Sequence, residues 1–178
     1  SHTPAEKNPL WNAHLHMVNT NSSLSIGNEF WSEVTFVKGL KLNTTFTYTH
    51  GTTERDNFIP GTASEFFTSA FSERGSYTKN NGKTKKWQLT STLNYGQNFG
   101  NHTIYISAGA QLNHDESNSF GLVVKGFPND RLDDLLFGLQ YSNTKPSGSY
   151  SMKRTAGFYG NLSYAYGNRY LLDGSIRA

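Results

Sequence analysis

The chain has 178 residues, enough for one domain with a sizeable core, yet only 35% are hydrophobic and 14% are aromatic, with a negative mean hydropathy of -0.61. Nothing approaches the roughly 20 consecutive apolar residues of a membrane helix, which excludes a helical membrane protein but not a β-barrel, whose strands alternate apolar and polar residues. The formal charge of +3 comes from 16 basic residues spread without a stripe, and cysteine is absent, so nucleic-acid binding, disulfide scaffolds, thiol catalysis and thiolate metal sites all lose support.

The opening Ser1-His2-Thr3-Pro4 has no basic start followed by an apolar core. No signal peptide is read there, and an exported protein would need a start lying outside this sequence. The first element in chain order is a hairpin. Leu24, Ile26, Phe30, Val34 and Phe36 alternate with Ser25, Glu29, Glu33 and Thr35. A turn is expected at Lys38-Gly39, and the chain returns through Leu40, Leu42, Phe46 and Tyr48 against Lys41, Asn43, Thr45 and Thr47. Such period-two alternation marks a strand with one apolar and one polar face. It fails from about Arg55 to about Thr84, which predicts a long connection.

The second hairpin is the clearest. Trp87, Leu89, Leu93, Tyr95 and Phe99 share one face, and Gln88, Thr90, Thr92, Asn94 and Asn98 the other. Gly100-Asn101 reads as a tight turn because both residues tolerate positive φ. Ile104, Ile106, Ala108, Ala110 and Leu112 then alternate with Thr103, Tyr105, Ser107, Gln111 and Asn113. A second long connection is expected from about Glu116 to about Ser151. Within it Asp130 precedes Leu132, Leu135, Leu136 and Leu139, spaced for one face of a short helix with an acidic cap. A partner-docking helix and a loop that buries its own leucines both remain open. In the third hairpin Phe158, Leu162, Tyr164 and Tyr166 alternate with Tyr159, Asn161 and Ser163, a turn falls at Gly167-Asn168, and Tyr170, Leu172 and Ile176 oppose Arg169, Asp173, Ser175 and Arg177.

The pattern therefore predicts about six antiparallel strands, each roughly ten or more residues long, where soluble strands average about five or six. Short turns at one end and long loops at the other is the sidedness of outer-membrane barrels, with tight periplasmic turns and long extracellular loops. Phe36, Phe99, Tyr166 and Tyr170 lie near the short turns, where an interfacial girdle would sit. A secreted β-sandwich would place the same rings in an ordinary core. A complete small barrel falls short of the usual minimum of about eight strands.

Several segments carry a resemblance. Asn8-Pro9-Leu10-Trp11-Asn12-Ala13, Val37-Lys38-Gly39-Leu40-Lys41-Leu42, Gly75-Ser76-Tyr77, and Leu93-Asn94-Tyr95 with Phe99-Gly100 and His102 come in order. They are followed by Gly126-Phe127-Pro128-Asn129-Asp130, by Arg154, Gly157, Phe158, Tyr159, Gly160, Leu162, Ser163 and Tyr164, and by Asn168-Arg169-Tyr170-Leu171-Leu172-Asp173-Gly174-Ser175-Ile176-Arg177. Together they resemble the barrel region of SusC/RagA-type TonB-dependent receptors of Bacteroidetes. The resemblance implies that residues 1–178 form part of one transmembrane β-barrel domain, about six strands of a barrel of about 22 filled by an N-terminal plug. Neither plug nor TonB-binding segment is visible, and the sequence stops at Ala178 where the family's hallmark strand continues, so a longer polypeptide is expected.

Residues that carry chemistry are few. His114-Asp115-Glu116 invites a metal or acid-base reading, but neighbours on a strand point to opposite faces and do not readily converge on one ion. Asp133-Asp134 reads as the solvated side of the loop helix or a charge at its start. No nucleophile elbow, zinc-binding His-Glu-x-x-His or phosphate loop occurs. The expectation is a non-enzyme with no catalytic residue, cofactor or metal. By resemblance it resides in the bacterial outer membrane and imports oligosaccharides, or peptides, with a SusD-like surface lipoprotein, driven by TonB through the N-terminal part. Phe66, Phe67, Phe71, Tyr77, Phe120, Phe127 and Tyr141 are the candidates for stacking on sugar rings, since flat apolar rings match the C–H faces of carbohydrates. Loop packing or lid contact is the alternative role for them. The rival function is a secreted all-β carbohydrate-binding module that needs no membrane.

Overall fold

The computed structural model describes residues 9–142, 145–167 and 169–178. A single helical turn α1 (Pro9–Asn12) precedes strands β1 (Val18–Val37), β2 (Leu40–Ile59), β3 (Ser76–Phe99), β4 (His102–Lys125), β5 (Gln140–Tyr141), β6 (Ser147–Tyr166) and β7 (Tyr170–Arg177). They make one 7-stranded sheet in the order β1-β2-β3-β4-β6-β7, with β5 beside β4. The fold is all-β and antiparallel, a segment of β-barrel wall. A sandwich would need a second sheet, and the strands form one.

Proline punctuates the strands. Pro60 follows the end of β2, Pro128 lies just past β4, and Pro146 precedes β6. Lacking an N–H, proline cannot donate to a ladder and stops it. The strands therefore run further than alternation suggests. β2 continues past Arg55 to Ile59, β3 starts at Ser76, β4 passes Glu116 to reach Lys125, and β6 begins at Ser147. The loops expected at about 55–84 and 116–151 shrink to 60–75 and 126–146. In β3 both faces are polar from Lys79 to Thr84, where backbone pairing continues with no alternation to report it, whereas in β4 the alternation itself goes on through Phe120, Leu122 and Val124.

The chain divides into two compact units, to which the long strands both contribute. One comprises the described parts of residues 25–50, 84–116 and 151–178 and contains the short turns. Gly39 (φ 87°), Gly100 (φ 62°) and Gly167 (φ 55°) supply the left-handed conformations these turns need. At Gly39 a Cβ would also run into the Gly96 carbonyl, whose own N–H donates to the Gly39 carbonyl at 2.8 Å. Asn168 lies outside the described residues, but the Arg169 N–H donates to the Tyr166 carbonyl at 3.0 Å and closes that turn. The β6–β7 register runs from Tyr159 opposite Arg177 to Tyr166 opposite Tyr170. This unit has almost no interior. Phe30, Phe158 and Ile176 are 66%, 61% and 73% exposed, and Ile26, Val34, Leu93 and Ile106 are exposed as well.

The other unit comprises the described parts of residues 1–24, 51–83 and 117–150. Its loops fold over the strand ends and make a small core. Phe58 is fully buried, Phe127 is 3% exposed, and Val124 joins them, with Val18, Tyr77, Leu122 and Leu135 packed around. The Phe58 and Phe127 rings meet edge to face at 5.1 Å, an arrangement that suits the ring quadrupoles. Backbone bonds tie the loops together, from the Phe127 N–H to the Arg74 carbonyl at 2.8 Å and from the Leu139 N–H to the Gly126 carbonyl at 3.0 Å. The helix expected after Asp130 is instead a 3-10 turn at Leu135–Phe137. Its cap is Asp134, which accepts from the Leu136 N–H at 2.9 Å, while Asp130 accepts from the Thr62 hydroxyl. Leu135 packs on the core, and Leu136 and Leu139 stay exposed. Three residues are too few for a face with helical spacing, so the leucine pattern has a local cause.

Candidate functional site

The turn-containing unit has one polar and one apolar face, and each is organised differently. On the polar face side chains bridge neighbouring strands. The Thr92 and Tyr159 hydroxyls bond to each other. Tyr105 donates to Asn94 at 2.9 Å, Asn113 to Thr155 at 3.0 Å and Asn161 to Ser107 at 3.2 Å. The Tyr159 ring lies over Gly109, where a Cβ would collide with it. The apolar face carries its rings at two levels. Near the turns His102 packs on Tyr166 at 4.8 Å and bonds to the Tyr164 hydroxyl at 2.7 Å, and Tyr166 stacks on Tyr170 at 6.5 Å. Further along the strands Trp87 stacks on His114 at 5.6 Å and lies 6.5 Å from Phe46. Leu93 and Ile106 fall between these levels.

His114, Asp115 and Glu116 do not converge. His114 and Glu116 lie 3.8 Å apart, and Arg154 Nε donates to His114 Nδ1 at 3.2 Å. Asp115 reaches instead toward Lys86, 4.0 Å away. Strand alternation produces this separation directly.

In the loop-bearing unit the seven candidate aromatics separate into two kinds. Phe127 is buried and Tyr77 lies 6.5 Å from it in the same core. Phe127 is thus taken up in loop packing, while Tyr77 is half-buried beside it. The cause is the loop folding back on β2 and β4. Tyr77 donates to Asp56 at 3.0 Å, and Lys79 Nζ stands 3.2 Å from the same oxygen. Burial, reinforced by that bond and by the Asp56, Asp134 and Asp133 charges, pushes the Tyr77 hydroxyl up to about 12. Phe67, Phe71, Phe120 and Tyr141 are exposed, and Phe66 is half-buried. Trp11 of α1 packs edge-on against Phe67 at 5.9 Å and donates to the Thr62 carbonyl at 3.0 Å. The Ser64 N–H donates to Asn12 Oδ1 at 3.0 Å. His16 bonds to Asp133 at 2.9 Å, and that bond holds the Asp133 carboxyl below its ordinary range.

Sequence reading missed a polar hollow of about 490 Å³ in this unit, bordered by Asn21, Thr53, Arg55, Asn80, Ser119 and Ser147. Its residues, mostly polar, are scattered over five strands, so they form no local motif. Among the described residues no group of three or more histidine, aspartate or glutamate side chains is placed to hold a metal ion, and no helix is long and apolar enough to cross a membrane.

No protein-family model and no curated protein matches the sequence. Solved structures do match. A chain of the RagAB peptide transporter superposes with a TM-score of 0.80 at 19% identity, over 90% of this chain and 18% of the matched one. The RagAB peptide importer in its "closed-closed" state gives 0.80 with the same identity and coverage. Its "open-open" state gives 0.79. This chain spans 18% of the length of those chains, and at that identity the likeness is one of fold alone.

Proposed function

We propose that this chain is part of the wall of an outer-membrane importer of the SusC/RagA type. It takes up oligosaccharides or peptides with a SusD-like surface lipoprotein and is driven by TonB through the rest of the polypeptide. The observation that carries the membrane reading is the spacing of the two ring levels on the apolar face. Trp87 and Phe99 on β3 are separated by roughly 40 Å of extended strand at about 3.3 Å per residue. At the roughly 45° tilt of barrel strands this projects to about 28 Å, close to the apolar band of about 25 Å flanked by aromatic girdles in outer-membrane barrels. Leu93 and Ile106 then face lipid, and the Thr92–Tyr159 and Asn94–Tyr105 pairs face the lumen. The fold shared with the RagAB chains supports the importer class.

The loop ends of the strands, with Phe67, Phe71, Phe120 and Tyr141 exposed, then face the outside and offer rings to an arriving ligand or lid. Single-cysteine labelling tests the orientation, any cysteine elsewhere in the polypeptide being removed first. Thr68 and Asn101 are both exposed. An impermeant maleimide applied to intact cells is expected to label Thr68→Cys and spare Asn101→Cys. The reverse pattern would overturn the orientation, and equal labelling in a protein that fractionates without membranes would overturn the membrane reading.

A further inference from the structure

The hollow of about 490 Å³ in the loop-bearing unit is built from two cross-strand rows. In the first row Gly121 lies between Asn80 and Ser147, and a Cβ on it would run into Asn80 Oδ1 and stand 3.6 Å from Ser147 Oγ. In the second row a Cβ on Gly82 would lie 2.5 Å from Thr53 Oγ1, and the Ser119 and Ser149 hydroxyls bond at 2.7 Å. Each row thus has a glycine that makes room for a neighbour's oxygen, Asn80 Oδ1 over Gly121 and Thr53 Oγ1 over Gly82. Asn81 and Phe120 also border the hollow, but alternation directs their side chains to the other face of the sheet. The furrow is therefore lined by hydroxyls and amides without a ring.

One charge stands in it. Arg55 borders the furrow and is exposed, with no ion pair among the described residues. The adjacent Asp56 is engaged elsewhere, with Tyr77 and Lys79. A guanidinium presents a planar fork of donors that matches a carboxylate through two parallel bonds. Sugar subsites lean on aromatic faces, and this furrow has none, whereas asparagine amides and serine hydroxyls suit the N–H and C=O groups of an extended peptide. We infer that the furrow is a charge-selective subsite for the terminal carboxylate of a short peptide, held by Arg55 beside the Thr53 and Asn80 side chains that overlie Gly82 and Gly121. The inference rests on the importer reading and narrows its ligand.

The test is calorimetric titration of the full-length protein in detergent with tetra-alanine, tetra-alanine amide and tetragalacturonate. The free acid is expected to bind about tenfold more tightly than the amide, the loss of one charge-assisted contact. Arg55→Gln should abolish that preference by weakening the acid to the level of the amide or below, while Arg55→Lys keeps part of it. Gly121→Val, which displaces the Asn80 side chain from its place over Gly121, should weaken both peptides. Equal binding of acid and amide by the unmodified protein, or a preference that survives Arg55→Gln, overturns the inference. Arg55-dependent binding of tetragalacturonate without peptide binding overturns the ligand class. Heat-modifiable migration of each variant on unheated gels reports folding. Uptake by cells is read separately: an importer that transports while Arg55→Gln changes nothing leaves the transport reading intact and removes this one.

Discussion

The two units of this chain solve the same problem in opposite ways. The loop-bearing unit buries Phe58, Val124 and Phe127 under its own loops, as a water-soluble domain does. The turn-containing unit leaves a row of leucine, isoleucine and phenylalanine side chains uncovered and is held chiefly by its backbone ladder and cross-strand polar pairs. One is shaped for water. The other needs a surrounding apolar medium to gain anything from its side chains, because uncovered apolar surface contributes nothing in water and favours association there.

The largest effects come from breaking each unit by its own logic. Phe58→Ala removes a fully buried ring and is expected to cost about 3 to 5 kcal/mol locally. Hydrogen exchange at the Phe127 and Leu139 amides should quicken accordingly, while the β6–β7 pairs from Asn161 to Ser175 keep their protection. Loss of protection in both places would show that the loop core also supports the turn-containing unit. Leu93→Arg places a charge midway between the ring levels and should cost about 2 to 4 kcal/mol in urea-dependent refolding into lipid vesicles. Asn94→Arg, next along the strand but on the polar face, should cost about 0 to 1 kcal/mol. Equal costs would erase the distinction between the faces.

Two titrations sharpen the loop-bearing side. The folded Tyr77 pKa is raised to about 12, above the ordinary value of about 10. The stabilisation from its neutral, hydrogen-bonded form is thus complete below pH ~10 and lost as pH rises through ~12. The ultraviolet titration difference between the protein and Tyr77→Phe should place this tyrosine near 12. A midpoint at the ordinary value would mean that the loop core is open to water. The smallest effect belongs to Asp133, whose carboxyl is lowered chiefly by the His16 bond. What that bond contributes is present above the ordinary carboxylate range and disappears as pH falls through the depressed value. His16→Ala should return Asp133 to the ordinary range in a carbon-13 titration, with little change in stability because both groups are exposed.

Legibility in the sequence divides along the same line. The turns, the five long strands with the shorter β7, and the sorting of faces follow from Gly39, Gly100, Gly167 and period-two alternation, because a half-apolar strand writes its geometry into residue order. The start of β3 was misplaced where both faces become polar, from Lys79 to Thr84, and the end of β4 although Phe120, Leu122 and Val124 go on alternating. Pro60, Pro128 and Pro146 were the available signal for them. The loop core was not legible, since Phe58 and Phe127 meet across a long stretch of chain, and a fold-back contact has no periodicity. Nor was the furrow: glycine, serine and asparagine on separate strands acquire meaning only once the register aligns them. His102 and Trp87 became partners of Tyr166 and His114 for the same reason.

The unbroken strands β3 and β4, Ser76–Phe99 and His102–Lys125, impose an arithmetic on how such a wall can change length. Deleting one residue from the middle of β3 would turn every side chain on one side of the cut to the opposite face. Leucines would enter the polar side and asparagines the apolar side, or the strand would have to absorb the slip in a bulge. Removing two residues keeps the sorting and shortens the strand by one repeat. Relatives of this segment are therefore expected to differ in strand length by even steps and to confine odd ones to bulges and to the loops at 60–75 and 126–146, where no face has to be preserved.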